Sequence, residues 1–169
     1  VQAAISPFIQ IFRPVSPVAW LLVVQLFTIY FIGGQGWMGM QASTIQVIFV
    51  VALCSLWPTL INTALGVKSI DQDLVNVSNV LRLPLSKRIT KMILPSALPV
   101  IFAGLRVALG VGWMVLIAAE ALAQSSGLGL FMWELYQNGD SNSMVSVMVT
   151  VFTIGIIGFF LDRLMVTPE

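Results

Sequence analysis

The chain has 169 residues, of which 58% are hydrophobic and 9% charged, with a formal net charge of +1. A soluble domain carries about 25% charged residues, so this composition excludes a water-soluble globular enzyme, and the near-neutral charge excludes a nucleic-acid or other strong polyanion partner. The single cysteine, Cys54, and the complete lack of histidine exclude an internal disulfide, Ser-His-Asp or Cys-His catalysis, and His- or Cys-cluster metal sites.

The charges are clustered. Residues 14–67 contain no Asp, Glu, Lys or Arg, and neither do residues 141–161. A bilayer core requires about 20 apolar residues per helix, so the chain reads as an all-α, polytopic membrane protein forming one transmembrane domain over residues 1–169. Four spans are expected, at about 18–32, 44–65, 103–122 and 144–161. The first is short unless it begins near Pro14. Gly33-Gly34-Gln35-Gly36 and Trp37 connect it to the second, with glycines to break the helix and an indole suited to the membrane boundary. The start at Val1 and the end in Val-Thr-Pro-Glu suggest a piece of a longer polypeptide.

The second span carries Ser55, Pro58, Thr59, Asn62 and Thr63. Pro58 frees a backbone carbonyl and favours a kink. Asn62 is costly against lipid and should face protein or water, either bonding to another helix or, with Thr59 and Thr63, lining a path. Cys54 reads as a small buried hydrophobe.

Residues 68–99 form a loop too long for a simple turn. Asp71 or Asp73 is placed to cap a helix, Val75, Val77 or Ser78, Leu81 and Leu83 give it an apolar edge, and Pro84 stops it. A second amphipathic piece has Leu85, Ile89, Met92 and Ile93 on one side and Lys87, Arg88 and Lys91 on the other, with Pro95 and Pro99 expected to end it. Five basic residues (Lys68, Arg82, Lys87, Arg88, Lys91) place this loop in the cytoplasm by the positive-inside rule, together with Arg13 and Arg163. The loop is either a pair of interfacial helices on anionic lipid or a docking element for a cytoplasmic partner.

The third span carries Arg106 near its inner end, to snorkel or to raise the positive potential at an inner mouth. Glu120 lies near the outer end, where a structural role is expected. Gly104, Ala108 and Gly112 form a small-residue stripe suited to close helix packing, and Trp113 is also expected to pack. The 120–142 segment holds Glu120, Glu134 and Asp140 but no Lys or Arg, and so belongs outside. Gly127 and Gly129 permit a tight turn there. Leu130, Phe131, Trp133, Leu135 and Tyr136 follow as an aromatic anchor, a re-entrant piece or a helix lying flat on the leaflet.

The loop resembles the cytoplasmic loop of permease subunits of bacterial ABC importers, whose pattern is E-A-A-x-x-x-G, nine residues, then I-x-L-P. Aligned on Leu94-Pro95, Met92 takes the Ile position, Arg82 the Gly position, and Asn76-Val77-Ser78 the E-A-A positions. The second half matches well, through Ile93-Leu94-Pro95-Ser96-Ala97-Leu98-Pro99 and Phe102-Ala103-Gly104-Leu105-Arg106; in the first half the acid and the glycine are absent. Ser55-Leu56-Trp57-Pro58-Thr59-Leu60-Ile61-Asn62-Thr63-Ala64, Gly110-Val111-Gly112-Trp113, Ala118-Ala119-Glu120 and Gly127-Leu128-Gly129 resemble the nitrate/taurine-type branch, most of all permeases for nitrate, with bicarbonate and cyanate as relatives.

The resemblance implies a type I-like helical bundle lacking its first spans, in a bacterial inner membrane, importing a small anion by alternating access. Nitrate or nitrite is the expected solute, with bicarbonate, cyanate or taurine as alternatives. It implies cytoplasmic ATPase subunits that carry the ATP and Mg²⁺, a second permease copy forming a homodimer, and an extracytoplasmic substrate-binding protein. This chain itself has no phosphate-cradling G-x-x-x-x-G-K-[ST] loop. The residues implied to contact the ATPase are Asn76, Val77, Ser78, Val80, Leu81, Arg82, Leu83 and Lys87, with Leu94 and Pro95 setting the turn back into the membrane. Thr59, Asn62, Thr63 and Arg106 are the substrate-path candidates, and Pro58, Glu120, Gly127 and Gly129 the gating or structural ones. An ion-driven secondary transporter or channel would need paired acid and base groups at mid-membrane, and none is evident. An intramembrane enzyme would need a Ser-Lys or Glu-based site.

Overall fold

The computed structural model describes residues 15–33, 36, 39–81 and 84–165, with the backbone alone at Ile32, Val75, Val77, Asn79 and Ser141. Arg13, Gly34, Gln35, Trp37, Arg82 and Leu83 lie outside the described residues.

The described residues form an all-α fold. Helix α1 spans Pro17–Ile32. Ser16 caps it by accepting from the Ala19 N–H at 3.2 Å, Pro17 occupies the first turn where no donor is needed, and Gly33 closes it in the left-handed conformation (φ 72°). Helix α2 spans Ala42–Lys68 and contains Pro58. Helix α3 spans Gln72–Val80. Of the two candidate caps it is Asp71 that serves, its Oδ1 accepting from the Asp73 N–H at 3.0 Å. Helix α4 runs Leu85–Ala123, made of Leu85–Arg88, a π-helical turn Ile89–Ile93, and Leu94–Ala123. Helix α5 spans Leu128–Asn138 and helix α6 Ser141–Leu164.

Among the described residues, α2, α4 and α6 are long and apolar enough to cross a membrane. Lipid supplies no hydrogen bonds, so a spanning backbone must satisfy itself, as helices do. Helix α1, over the expected first span, is apolar but has 16 residues, about 24 Å of rise, and falls short of that length.

The expectation that Pro95 and Pro99 end the second loop helix is corrected. The chain passes through both prolines as one helix, so Leu94-Pro95 makes no turn. The π turn supplies the physical reason. The Leu94 N–H reaches back five residues to the Ile89 carbonyl, and this slip in register comes immediately before Pro95, which has no N–H to donate.

The chain divides into two compact units, Val1–Ser55 with Leu109–Glu169, and Leu56–Ala108. The first has a core of Leu21, Val24, Val47, Val50, Cys54, Val115 and Ala119, drawn from α1, α2 and α4. Within it α5 packs against α6, and Ser55 of α2 fills the space before Gly112 of α4, where an added Cβ would stand 2.7 Å from the Ser55 hydroxyl. In the second unit Gly66 of α2 faces the Ala97 carbonyl and Val100 of α4, and Asn62 occupies the space that a Cβ on Gly104 would need. Ala97 and Ala108 are buried there. The stripe Gly104–Ala108–Gly112 is thus a packing face.

Candidate functional site

Three groups of residues carry the functional expectations. The first is the loop segment. Asn76, Val80, Leu81 and Lys87 are exposed, whereas Ser78 is 3% exposed and held inside its unit. Val77 lies on the α3 backbone, and Arg82 and Leu83 are outside the described residues. Leu94 and Pro95 are exposed on α4. Lys87 and Lys91 project from the same end of α4 as the exposed Leu85 and Ile89, leaving an accessible surface both basic and apolar.

The second group is the polar part of α2. The Asn62 amide donates to the Pro58 carbonyl at 2.9 Å, and the Thr63 hydroxyl to the Thr59 carbonyl at 2.7 Å. Both bonds return to the same helix, so the Asn62 amide bonds within its own helix where an interhelical partner was one expectation. Pro58 removes the N–H that would bond the Cys54 carbonyl. Next to it, Trp57 Nε1 is buried and has no hydrogen-bond partner among the described residues. Arg106 is exposed; it lies two residues, about 200° of helix rotation, from Gly104, which packs on Asn62. The structure therefore brings Asn62 to Gly104, with Arg106 attached on the other side of α4.

The third group is the corner between α4 and α5, where the structure brings Glu120, Gly127 and Gly129 together. Helix α4 ends with Gln124 in the left-handed region (φ 51°), the only such non-glycine among the described residues, and the Ser125 N–H donates to the Glu120 carbonyl at 3.1 Å. This is the six-to-one bond of a Schellman ending. The Glu120 side chain accepts from the Gly129 N–H at 2.9 Å through Oε2, satisfying one of the orphan donors at the start of α5. A side chain at 127 would collide with that carboxylate, and one at 129 with the Ile117 carbonyl and Glu120 Cβ. Ser125, itself buried, lies with its hydroxyl 3.3 Å from that of Thr44 at the start of α2. The sequence marked the three residues separately. The signal that joins them is a carboxylate followed seven and nine residues later by glycines across a helix break.

No group of three His, Cys, Asp or Glu side chains capable of holding a metal comes together among the described residues. The arrangement as a whole is one of apolar spanning helices, an accessible basic-apolar end, and a tightly fixed corner.

Residues 1–167 match the family model described as the binding-protein-dependent transport system inner membrane component. The chain belongs to this family. It is therefore a component of a binding-protein-dependent transport system of the inner membrane. It is 36% identical over 160 residues to the nitrate import permease protein NrtB of Synechococcus elongatus, covering 95% of this chain and 53% of that protein. It is 40% identical over 161 residues to the bicarbonate transport system permease protein CmpB of a Synechocystis species, covering 95% of this chain and 52% of that protein. The chain thus spans about half the length of these relatives. Among solved structures, the inward-facing MetNI methionine ABC transporter shares the fold, with a TM-score of 0.62 at 19% identity over 98% of this chain and 76% of that one. This agrees with a type I-like helical bundle.

Proposed function

We propose that the chain is the membrane-spanning permease subunit of an ATP-driven importer that moves a small planar oxyanion, nitrate or bicarbonate, by alternating access. The observation that carries this is the likeness of 36% and 40% to a nitrate and a bicarbonate permease over 95% of the chain. The two relatives resemble it to a similar degree, so the solute proposed is of the class they share, a compact, delocalised anion.

In this reading the 68–99 segment is cytoplasmic and docks on an ATPase subunit that binds the ATP and Mg²⁺. The exposed Asn76, Val80, Leu81 and Lys87 form the accessible part of that contact, with Val77, Ser78, Arg82, Leu83, Leu94 and Pro95 completing the segment. Two permease copies enclose one path, and an extracytoplasmic binding protein delivers the solute. Thr59, Asn62, Thr63 and Arg106 are the proposed path residues, while Pro58, Glu120, Gly127 and Gly129 shape the helices that move.

The test is uptake of labelled nitrate into vesicles carrying the full-length permease with its ATPase and binding protein, in competition with nitrite, bicarbonate, cyanate and taurine. Competition by one or more of the planar anions and dependence on ATP are expected. Uptake that persists without the ATPase overturns the reading, as does competition by taurine alone.

A further inference from the structure

We propose that Glu120 is the positioning residue of α5, acting through the reach of its side chain and its acceptor oxygen, with no direct part for its charge in selecting the transported anion. This rests on the importer reading above, in which α5 lies at the external face where solute is delivered.

The two ends of Glu120 do different work. Its backbone carbonyl accepts from Ser125 at 3.1 Å and so ends α4, while Oε2 accepts from Gly129 at 2.9 Å and so starts α5. The N-cap position of α5 is Gly127, which has no side chain to offer, and no side-chain bond is made from it. The cap therefore comes from the preceding helix. The packing is specific to this solution. A Cβ at 127 would displace the carboxylate from its place, and a Cβ at 129 would run into the Ile117 carbonyl, which yields only if α5 moves off α4. Ser125, between these bonds, is 3% exposed and lies 3.3 Å from the Thr44 hydroxyl, which ties the corner to α2.

Where α5 begins consequently depends on one side chain of defined length, while α6 supports the rest of the helix. Helix α5 displays Phe131, Trp133 and Tyr136 at its surface, and their placement is set by where the helix begins. One oxygen of the Glu120 carboxylate is committed to the Gly129 amide at the start of the helix.

The experiment uses the complete transporter with its ATPase and binding protein, a Cys54→Ala background, and a spin label at Gln137→Cys near the end of α5. Glu120→Gln keeps the reach and an acceptor oxygen while removing the charge. Glu120→Asp keeps the charge and loses one methylene of reach. Glu120→Ala loses both. Expected for Gln are a label spectrum like the parent's and uptake within about twofold. Expected for Asp and Ala are a more mobile label and loss of about tenfold in uptake and in binding-protein-stimulated ATP hydrolysis, the scale of one hydrogen bond, with basal hydrolysis retained. If Asp behaves as the parent and Gln does not, charge is what matters and the proposal fails. An unchanged label in Ala also overturns it. Should Ala not accumulate in the membrane, the Gln and Asp pair alone decides. If the labels respond as expected while the parent moves no planar anion, the functional reading fails and the positioning role stands.

Discussion

Trp113 lies against Gly158: a Cβ on that glycine would stand 2.9 Å from the indole Nε1, which donates to the Ile154 carbonyl one turn earlier at 3.3 Å. Helix α6 therefore meets α4 through a bare backbone, and the indole takes a carbonyl that its own helix also uses. Gly158→Val is expected to push the ring off and destabilise by about 1–3 kcal/mol. Gly155→Ala, one turn away and with open space in front of it, is expected to be neutral or to stabilise by up to about 1 kcal/mol. Thermal unfolding of the purified transporter in nanodiscs separates the two.

The two indoles Trp57 and Trp113 should respond with opposite sign to the same substitution. Trp113→Phe deletes a made hydrogen bond and is expected to cost about 1 kcal/mol. Trp57→Phe deletes a buried N–H that has no partner among the described residues. Keeping the ring while removing an orphan donor is expected to leave stability unchanged or raise it by about 1 kcal/mol. A Trp57→Phe variant that melts well below the parent contradicts this.

Gly104 and Asn62 form a pair that trimming cannot relieve. The conflict for a Cβ at 104 is with Asn62 Cβ as well as its amide, so Asn62→Ala leaves the obstruction in place. Gly104→Ala is expected to destabilise by about 1–3 kcal/mol in both the parent and the Asn62→Ala background, and by less in Asn62→Gly. A double-mutant cycle on melting temperature measures the coupling.

Gln124 holds a left-handed backbone at a cost of about 1–2 kcal/mol for a residue with a Cβ. Gln124→Gly is expected to raise the melting temperature, and Gln124→Val to lower it, with the Schellman bond from Ser125 retained in the glycine variant.

The proposed docking segment predicts a separation of assembly from insertion. Arg82→Glu with Leu83→Glu is expected to abolish co-purification of the ATP hydrolase while the permease still reaches the membrane at parental level. A membrane-impermeant amine reagent applied to intact cells is expected to spare Lys87 and Lys91. Their modification from outside would reverse the orientation.

The helical class was legible because two long stretches, residues 14–67 and 141–161, carry no charge, and lipid admits only a backbone that bonds to itself. The small-residue stripe was legible for a similar reason: glycine and alanine at four-residue spacing lie on one face, and Gly104, Ala108 and Gly112 do pack. At Pro95 two local rules conflict. Proline usually stops a helix, but an apolar segment continues past it, and a π turn lets the segment win. The corner shows a different limit. Glu120, Gly127 and Gly129 were each marked, yet the bond joining them depends on Gln124 turning left-handed, a conformation that glutamine does not advertise. Asn62 was recognised as needing a partner, but sequence alone does not reveal that its amide would turn back to Pro58.

The same inward turn recurs along α6. Ser146, Thr150 and Thr153 each donate to the carbonyl four residues earlier, at 3.1, 2.8 and 2.8 Å. Their hydroxyl protons are thereby hidden from the surroundings; Thr150 is buried besides, and what Ser146 and Thr153 offer outward is chiefly methylene and methyl. The insertion machinery of the cell thus meets a segment greasier than its letters suggest. Polar letters can accumulate on such a helix with little penalty, and hydropathy counted by residue type underestimates how readily it enters lipid.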